Sequence, residues 1–216
     1  MDYTRQMDII SPTQLKNTQL IGIGAGGIGS PTVLALTKMG LHDITIYDDD
    51  VIEVHNLPNQ MYRLKDLGKL KVDALAEICE EYSGTVIIKN TEKYFNQDLN
   101  GVVFSGVDSM GQREIIWKSI KNNPNVSIYI DGRMGGEVAR ILTINPCDPV
   151  DIEFYESTLC KDEDAQDLPC TARAIIYNVF TIASIICNKV KKHVKKETYF
   201  KDLIIDLKTS TFIATN

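Results

Sequence analysis

The sequence predicts an α/β fold: a doubly wound, mixed and largely parallel sheet with helices on both faces and a C-terminal β-hairpin. Three observations carry that reading. Short apolar runs rich in β-formers alternate with stretches whose apolar residues recur at helical spacing. The first such run, QLIGIG, ends in glycines that lead straight into a helical pattern. The last, DLIIDLKTSTFIA, reads as two short strands closing on each other.

Each element follows in order. QLIGIG is a strand, and SPTVLALTKMG behind it holds helical spacing until Gly40, giving strand, tight turn, helix. DITIYD is a second strand, reached by a right-handed crossover. Lys69 to Tyr82 reads as a helix with Val72, Leu75, Ala76 and Cys79 on one face, and TVIIKN and GVVFSGVD are the third and fourth strands. Gln112 to Asn122 forms another helix, and SIYIDGRMGGEVARILTINP is strand, glycine-rich turn, strand, so the sheet begins parallel and ends antiparallel. Residues 147–169, acidic and rich in turn formers with little periodicity, are expected to be a long crossover-type loop. Thr171 to Lys192 is a helix with Ile175, Val179, Ile182, Ile186 and Val190 on its stripe.

A length of 216 residues suits one domain over 1–216, and 44% hydrophobic with 24% charged residues excludes disordered and fibrous classes. The net charge of -6 argues against general nucleic-acid binding, which needs a concentrated basic face. The basic run KVKKHVKK, Lys189 to Lys196, reads as the solvated end of a helix. No eighteen apolar residues run uninterrupted and the start lacks a signal-like pattern, so a cytoplasmic protein with no membrane partner is expected. Five cysteines, odd in number and without a CxxC pair, imply neither a disulfide framework nor structural zinc.

Chemistry begins at Gly24, Gly26 and Gly29, a GxGxxG between strand and helix that brings backbone amides and a helix N-terminus to phosphates. It leaves NAD and ATP both open. Asp48, Asp49 and Asp50 end the second strand, where a carboxylate accepts hydrogen bonds from ribose hydroxyls; Asp49 should face away from its neighbours into solvent. Lys71 and Arg113 are phosphate-neutralising types, and Asp108, after the fourth strand, is a carboxylate that a phosphate-bridging magnesium ion would use. Together they make a nucleotide triphosphate site at neighbouring strand ends.

The order of these motifs resembles the ThiF/MoeB and ubiquitin-activating enzyme superfamily, with its Rossmann-like sheet. The resemblance spans YTRQ (Tyr3 to Gln6), GAGGIGS with Gly27 inside it, DDDVIEVHNLPNQ, GKLK (Gly68 to Lys71) and DSMGQR. It implies an adenylyltransferase using ATP and Mg2+ to activate the C-terminal carboxylate of a ubiquitin-like or sulfur-carrier protein. A conjugating enzyme or sulfurtransferase would act downstream, and the chain would be a homodimer. By position it implies Asp48 and Asp50 near the ribose, Asn56, Gln60 and Lys71 around the phosphates, Asp108 linked to magnesium, and Arg5 reaching a partner's site. Asn59 stands where the family has arginine, with Arg63 nearby as a substitute. Cys170 lies where shorter family members carry a thioester-forming cysteine, and a helix N-terminus there favours its thiolate; Cys160 is the second candidate, and Cys79 and Cys187 belong to the core. The alternatives are an NAD-dependent oxidoreductase and a catalytically weakened partner subunit of an activating-enzyme dimer.

Overall fold

The computed structural model describes residues 1–160 and 175–216. The strands are β1 (Leu20–Ile23), β2 (Ile44–Tyr47), β3 (Ile88–Asn90), β4 (Gly101–Ser105), β5 (Val126–Gly135), β6 (Val138–Ile144), β7 (Asp202–Asp206) and β8 (Thr211–Thr215). They form one sheet in the order β3-β2-β1-β4-β5-β6-β7-β8. The pairings from β3 to β5 are parallel and those from β5 to β8 antiparallel, as the sequence predicts. The helices are α1 (Pro12–Leu15), α2 (Gly29–Met39), α3 (Lys71–Ser83), α4 (Met110–Ile120), α5 (Pro149–Ser157) and α6 (Ile176–Val194).

Strand alternation sends side chains to two cores. Leu20, Val102, Phe104, Ile128 and Ile130 pack with residues of α2, α3 and α6, including Val33, Leu75 and Ile186. Their neighbours Ile21, Val103 and Tyr129 pack on the other face with Ile116 and Trp117 of α4 and Tyr155 of α5. β1 is buried at all four positions, as expected of a central parallel strand covered on both faces. The predicted stripe of α6 holds at Val179, Ile182, Ile186 and Val190, all fully buried, whereas Ile175 is the exposed residue before the helix.

Two expectations need correction. Residues Pro149–Ser157, placed in the acidic loop, form α5. Asp148 caps it by accepting from the Val150 amide, Pro149 opens its first turn, and Tyr155 fills the core with Ile152 and Phe154 packed beside it; a nine-residue helix among acids and turn formers offers too short an apolar pattern to stand out. The basic run is not solvated throughout. Lys189 is buried, its Nζ donating to the Phe200 carbonyl at 2.8 Å, and burial, with Lys192 nearby, pulls its pKa down to about 8.

The chain runs from β1 outward through β2 to β3, then crosses back to place β4 on the other side of β1. This reversal opens a crevice at the carboxyl ends of β1 and β4, where ligands bind in open α/β sheets.

Candidate functional site

In register, Ile23 of β1 lies between Tyr47 of β2 and Ser105 of β4. The residues that follow, Gly24, Asp48 and Gly106, therefore leave the sheet side by side. Gly24 donates its amide to the Tyr47 carbonyl and Gly106 to that of Ile23, each at 2.9 Å. Gly24 has φ +95, and a Cβ there would meet the Gly106 carbonyl oxygen at 2.9 Å; a Cβ on Gly29 would sit 1.8 Å from the Gly24 carbonyl oxygen. Only glycine closes this turn. Gly27 packs near Met134 and the Asn59 carbonyl, whereas Gly26 has nothing closer than Gln60 Nε2 at 3.8 Å. A ligand's phosphates can thus approach the backbone at Gly26.

Several bonds fix the loop. The Ala25 amide donates to Asp48 Oδ2 at 2.6 Å, and the Tyr62 hydroxyl donates to the Ala25 carbonyl at 2.6 Å. Ser30 Oγ donates to the Gly26 carbonyl at 2.8 Å and accepts from the Met61 amide at 3.2 Å. Residues 60–62 are thereby pressed against the glycine loop. Gln60 Oε1 is buried there without a hydrogen-bond partner, which suits an amide reserved for a ligand. Asn56, also buried, uses Oδ1 to accept from the Glu53 amide.

Asp48 also accepts from the Asp50 amide at 2.9 Å. Burial raises its pKa against the opposing pull of Lys71 and the two amides. Lys71, the first residue of α3 and only 7% exposed, directs Nζ to Asp50 Oδ2 at 2.5 Å and lies 4.0 Å from Asp48 Oδ1. A bridge between Val51 and Leu70, with the Lys71 amide on the Asp50 carbonyl at 2.9 Å, sets this register. Asp49 is exposed, as predicted.

Asp108 is exposed, two residues beyond the Gly106 that touches Gly24. Arg113 is buried: Nε donates to Asp131 Oδ1 at 3.2 Å and Nη2 to the Val107 carbonyl at 2.6 Å. The Arg63 guanidinium is held by Asp66 of the Leu64–Asp66 3-10 turn, with Nε 2.7 Å from Oδ2, and by Glu77 and Glu81 of α3.

Arg5 is exposed in a short 3-10 turn, Thr4–Gln6, and Gln6 Nε2 donates to the Met39 carbonyl at 2.7 Å. The turn thus sits at the C-terminal end of α2, a helix of 11 residues whose N-terminus opens the glycine loop. At 1.5 Å per residue the two ends are about 16 Å apart. Arg5 and its own chain's glycine loop are not brought together.

Cys170 lies outside the described residues. Cys160 is half-buried and Cys147 exposed. Burial pushes the thiols of Cys79 and Cys187 up to about 11 and about 12, in keeping with core positions. Sequence reasoning missed Tyr62, which holds the loop, and Asp131 with Arg133, and gave no role to Ser30, the last residue of GAGGIGS. A hydroxyl two residues from the expected glutamine, and a charged pair alternating inside the apolar β5, were the available signals.

The ThiF family pattern matches residues 3–202. The chain is 30% identical over 135 residues to a protein of Porphyra purpurea named "Probable molybdopterin-synthase adenylyltransferase", covering 57% of this chain and 35% of that one. It is 34% identical over 94 residues to "Adenylyltransferase and sulfurtransferase UBA4" of Scheffersomyces stipitis, covering 40% of this chain and 21% of that one. The fold superposes on the microcin C7 biosynthetic enzyme MccB in complex with N-formylated MccA, with a TM-score of 0.77 at 17% identity over 95% of this chain and 66% of that one. Its aligned region spans 35 to 44% of the length of two curated relatives and about two thirds of the solved neighbour. With a family match across almost all of its length, this chain belongs to the ThiF family.

Proposed function

We propose that this chain is an adenylyltransferase that uses ATP to activate a terminal carboxylate of a ubiquitin-like or sulfur-carrier protein. The observation that supports it best is the crevice where the glycine loop, Asp48 and Lys71 meet at adjoining strand ends, with Asp108 two residues beyond the Gly106 that abuts Gly24. The open face at Gly26 fits a nucleotide's phosphates, and the unpartnered Gln60 Oε1 is an acceptor free for a hydroxyl or amino donor of the ligand. Asp48 fits the ribose hydroxyls, since its remaining lone pairs lie beside the loop it holds. In the reaction a carboxylate oxygen attacks the α-phosphorus, the acyl adenylate forms, and pyrophosphate leaves. The protein's part is alignment and charge neutralisation. Lys71 would move from Asp50 to the phosphates, with Asn56 as a further polar contact to them. Asp108 would hold a magnesium ion whose charge offsets that of the departing pyrophosphate.

Arg5 lies too far from its own crevice to act there, which supports a homodimer in which it serves the partner's site. A following step, attack of the Cys170 thiolate on the adenylate with release of AMP, rests on its sequence position alone, with Cys160 as the second candidate. The resulting thioester would pass to a conjugating enzyme, and a sulfurtransferase is the corresponding partner for a sulfur carrier. A cytoplasmic location fits this chemistry.

A second reading is favoured by one observation: Asn59 lacks the family's charge and Arg63 is engaged elsewhere. On it, the chain is a weakened partner subunit that keeps the fold. The melting temperature with ATP and magnesium, set against NAD, tests nucleotide choice, since a ligand of the native state stabilises it. ATP–pyrophosphate exchange, with a small carrier ending in glycines, tests the reaction. A shift with NAD alone overturns the proposal; ATP binding without exchange selects the second reading.

A further inference from the structure

We infer that Arg113 is a positioning residue: anchored on the buried Asp131 carboxylate, it grips the Val107 carbonyl and so fixes the turn that presents Asp108. The inference rests on the magnesium role proposed for Asp108.

The anchor is rigid. Asp131 is fully buried; Oδ1 accepts from Ser105 Oγ at 2.8 Å and Arg113 Nε at 3.2 Å, and Oδ2 from Arg133 Nε at 2.7 Å and the Tyr155 hydroxyl at 3.1 Å. Arg133 in turn donates to the Thr158 carbonyl at 2.9 Å and to its Oγ1 at 3.0 Å, at the C-terminal end of α5, whose dipole favours a cation. Displacing the carboxylate would leave two buried guanidiniums short of their counter-charge, which low-dielectric surroundings penalise heavily. From this anchor Arg113 extends Nη2 to the Val107 carbonyl at 2.6 Å and the Gly132 carbonyl at 3.4 Å.

The other side of the turn is wedged. The Gly106 carbonyl lies against Gly24, and a Cβ on Gly106 would meet Ile28 Cβ at 2.8 Å. Ser109, capping α4 through the Gln112 amide, ends the turn one residue after Asp108. Asp108 is thus carried by a peptide held between the glycine loop and one arginine. Nε and Nη2 of Arg113 are taken by Asp131, Val107 and Gly132, and the residue is 5% exposed, which leaves little of the guanidinium for a phosphate. Its planar fork reaches the anchor and the carbonyl together, which a lysine ammonium on one stem cannot do.

The test uses Arg113→Lys in the full chain, with deuterium uptake at 106–109 and the magnesium concentration giving half of the ATP-induced rise in melting temperature. Positioning predicts faster uptake at 106–109 with 24–29 unchanged. It also predicts a magnesium requirement raised about tenfold, the usual cost of losing a group that orients a metal ligand. In an Asp108→Ala background, Arg113→Lys should add no further change in magnesium requirement. Unchanged uptake, or an equal increment in both backgrounds, overturns the inference. Should Arg113→Lys fail to fold, Ser105→Ala, which removes one bond from the same Asp131 oxygen, decides it: a smaller shift of both readouts supports the inference and no shift overturns it. If Asp108→Ala alone leaves the magnesium requirement unchanged, the metal role fails, and uptake at 106–109 still judges whether Arg113 holds the turn.

Discussion

The Tyr62 hydroxyl reaches the Ala25 carbonyl at 2.6 Å across 37 positions of sequence, while the Ala25 amide is held by Asp48 at 2.6 Å. One residue of the glycine loop is therefore gripped from both sides, by a phenol and by the proposed ribose ligand. Tyr62→Phe leaves a buried carbonyl without its donor, a loss of about 1–3 kcal/mol. The expected outcome is a lower melting temperature and weaker ATP binding by calorimetry. If both are unchanged, the phenol does not hold the loop.

Lys71 sits between two carboxylates that compete with phosphate for its charge. Lys71→Ala removes the cation and leaves Asp48 and Asp50 facing the phosphates uncompensated. Pyrophosphate exchange should fall by the roughly 2–4 kcal/mol typical of a charged transition-state contact. Lys69, whose Nζ pairs with Glu77 at 2.7 Å, points elsewhere, so Lys69→Ala should leave exchange near wild type. The reverse pattern would reassign the site to the neighbouring helix face.

Much of this site was legible because its parts are local. Gly24 and Gly29 announce a turn that only glycine closes, and Asp48 and Lys71 lie at the first residues beyond a strand and within a helix. The crossing to β4 could be read from alternating strands and helices. What stayed hidden depends on which distant side chains meet. Nothing local to Arg63 announces Glu77 and Glu81 of α3 as its partners, and nothing near Arg113 announces the bond it makes to Asp131, eighteen positions on. α5 escaped because its apolar residues, Ile152, Phe154 and Tyr155, are few and set among acids and turn formers, too short a pattern to stand out.

Asp131 makes stability depend on acid. Burial pulls its pKa up, but Arg133, Arg113 and the hydrogen bonds outweigh this and hold it below the ordinary carboxylate value. The unfolded chain therefore binds a proton at higher pH than the folded one, so the contribution is present above about pH 4 and is lost as pH falls through the lower folded value. Asp131→Asn should be strongly destabilised at pH 7, by roughly 3–5 kcal/mol for a broken buried pair, with the gap to wild type narrowing below pH 4. Urea midpoints across that range test it, and a gap independent of pH would show that charge is not what the residue contributes.

The thiols should separate by burial. With Cys79 and Cys187 raised to about 11 and about 12, neither forms appreciable thiolate at pH 8, whereas Cys147 is exposed and Cys160 half-buried. Alkylation of the folded protein should mark Cys147 and Cys160 and spare Cys79 and Cys187, as read by peptide mass. Labelling of Cys187 at the rate of Cys147 would contradict the packing of α6. In the same preparation Cys170→Ala should leave pyrophosphate exchange intact and abolish a thiol-sensitive adduct with the carrier; loss of the adduct in Cys160→Ala alone would move the nucleophile there.

Arg5 gives the sharpest test of assembly, because its turn rests at the Met39 end of α2 while the glycine loop rests at the other. Arg5→Ala and Asp108→Ala should each be inactive alone. Mixed in equal amounts and allowed to exchange subunits, half of the dimers would pair one variant with the other. Each such dimer would hold one crevice with both groups and one with neither, so exchange should recover to about a quarter of wild type for a two-fold symmetric assembly. Native mass spectrometry establishes that subunits have exchanged. A mixture that exchanges and stays silent would place Arg5 outside the partner's site, and full activity of Arg5→Ala alone would remove it from the reaction.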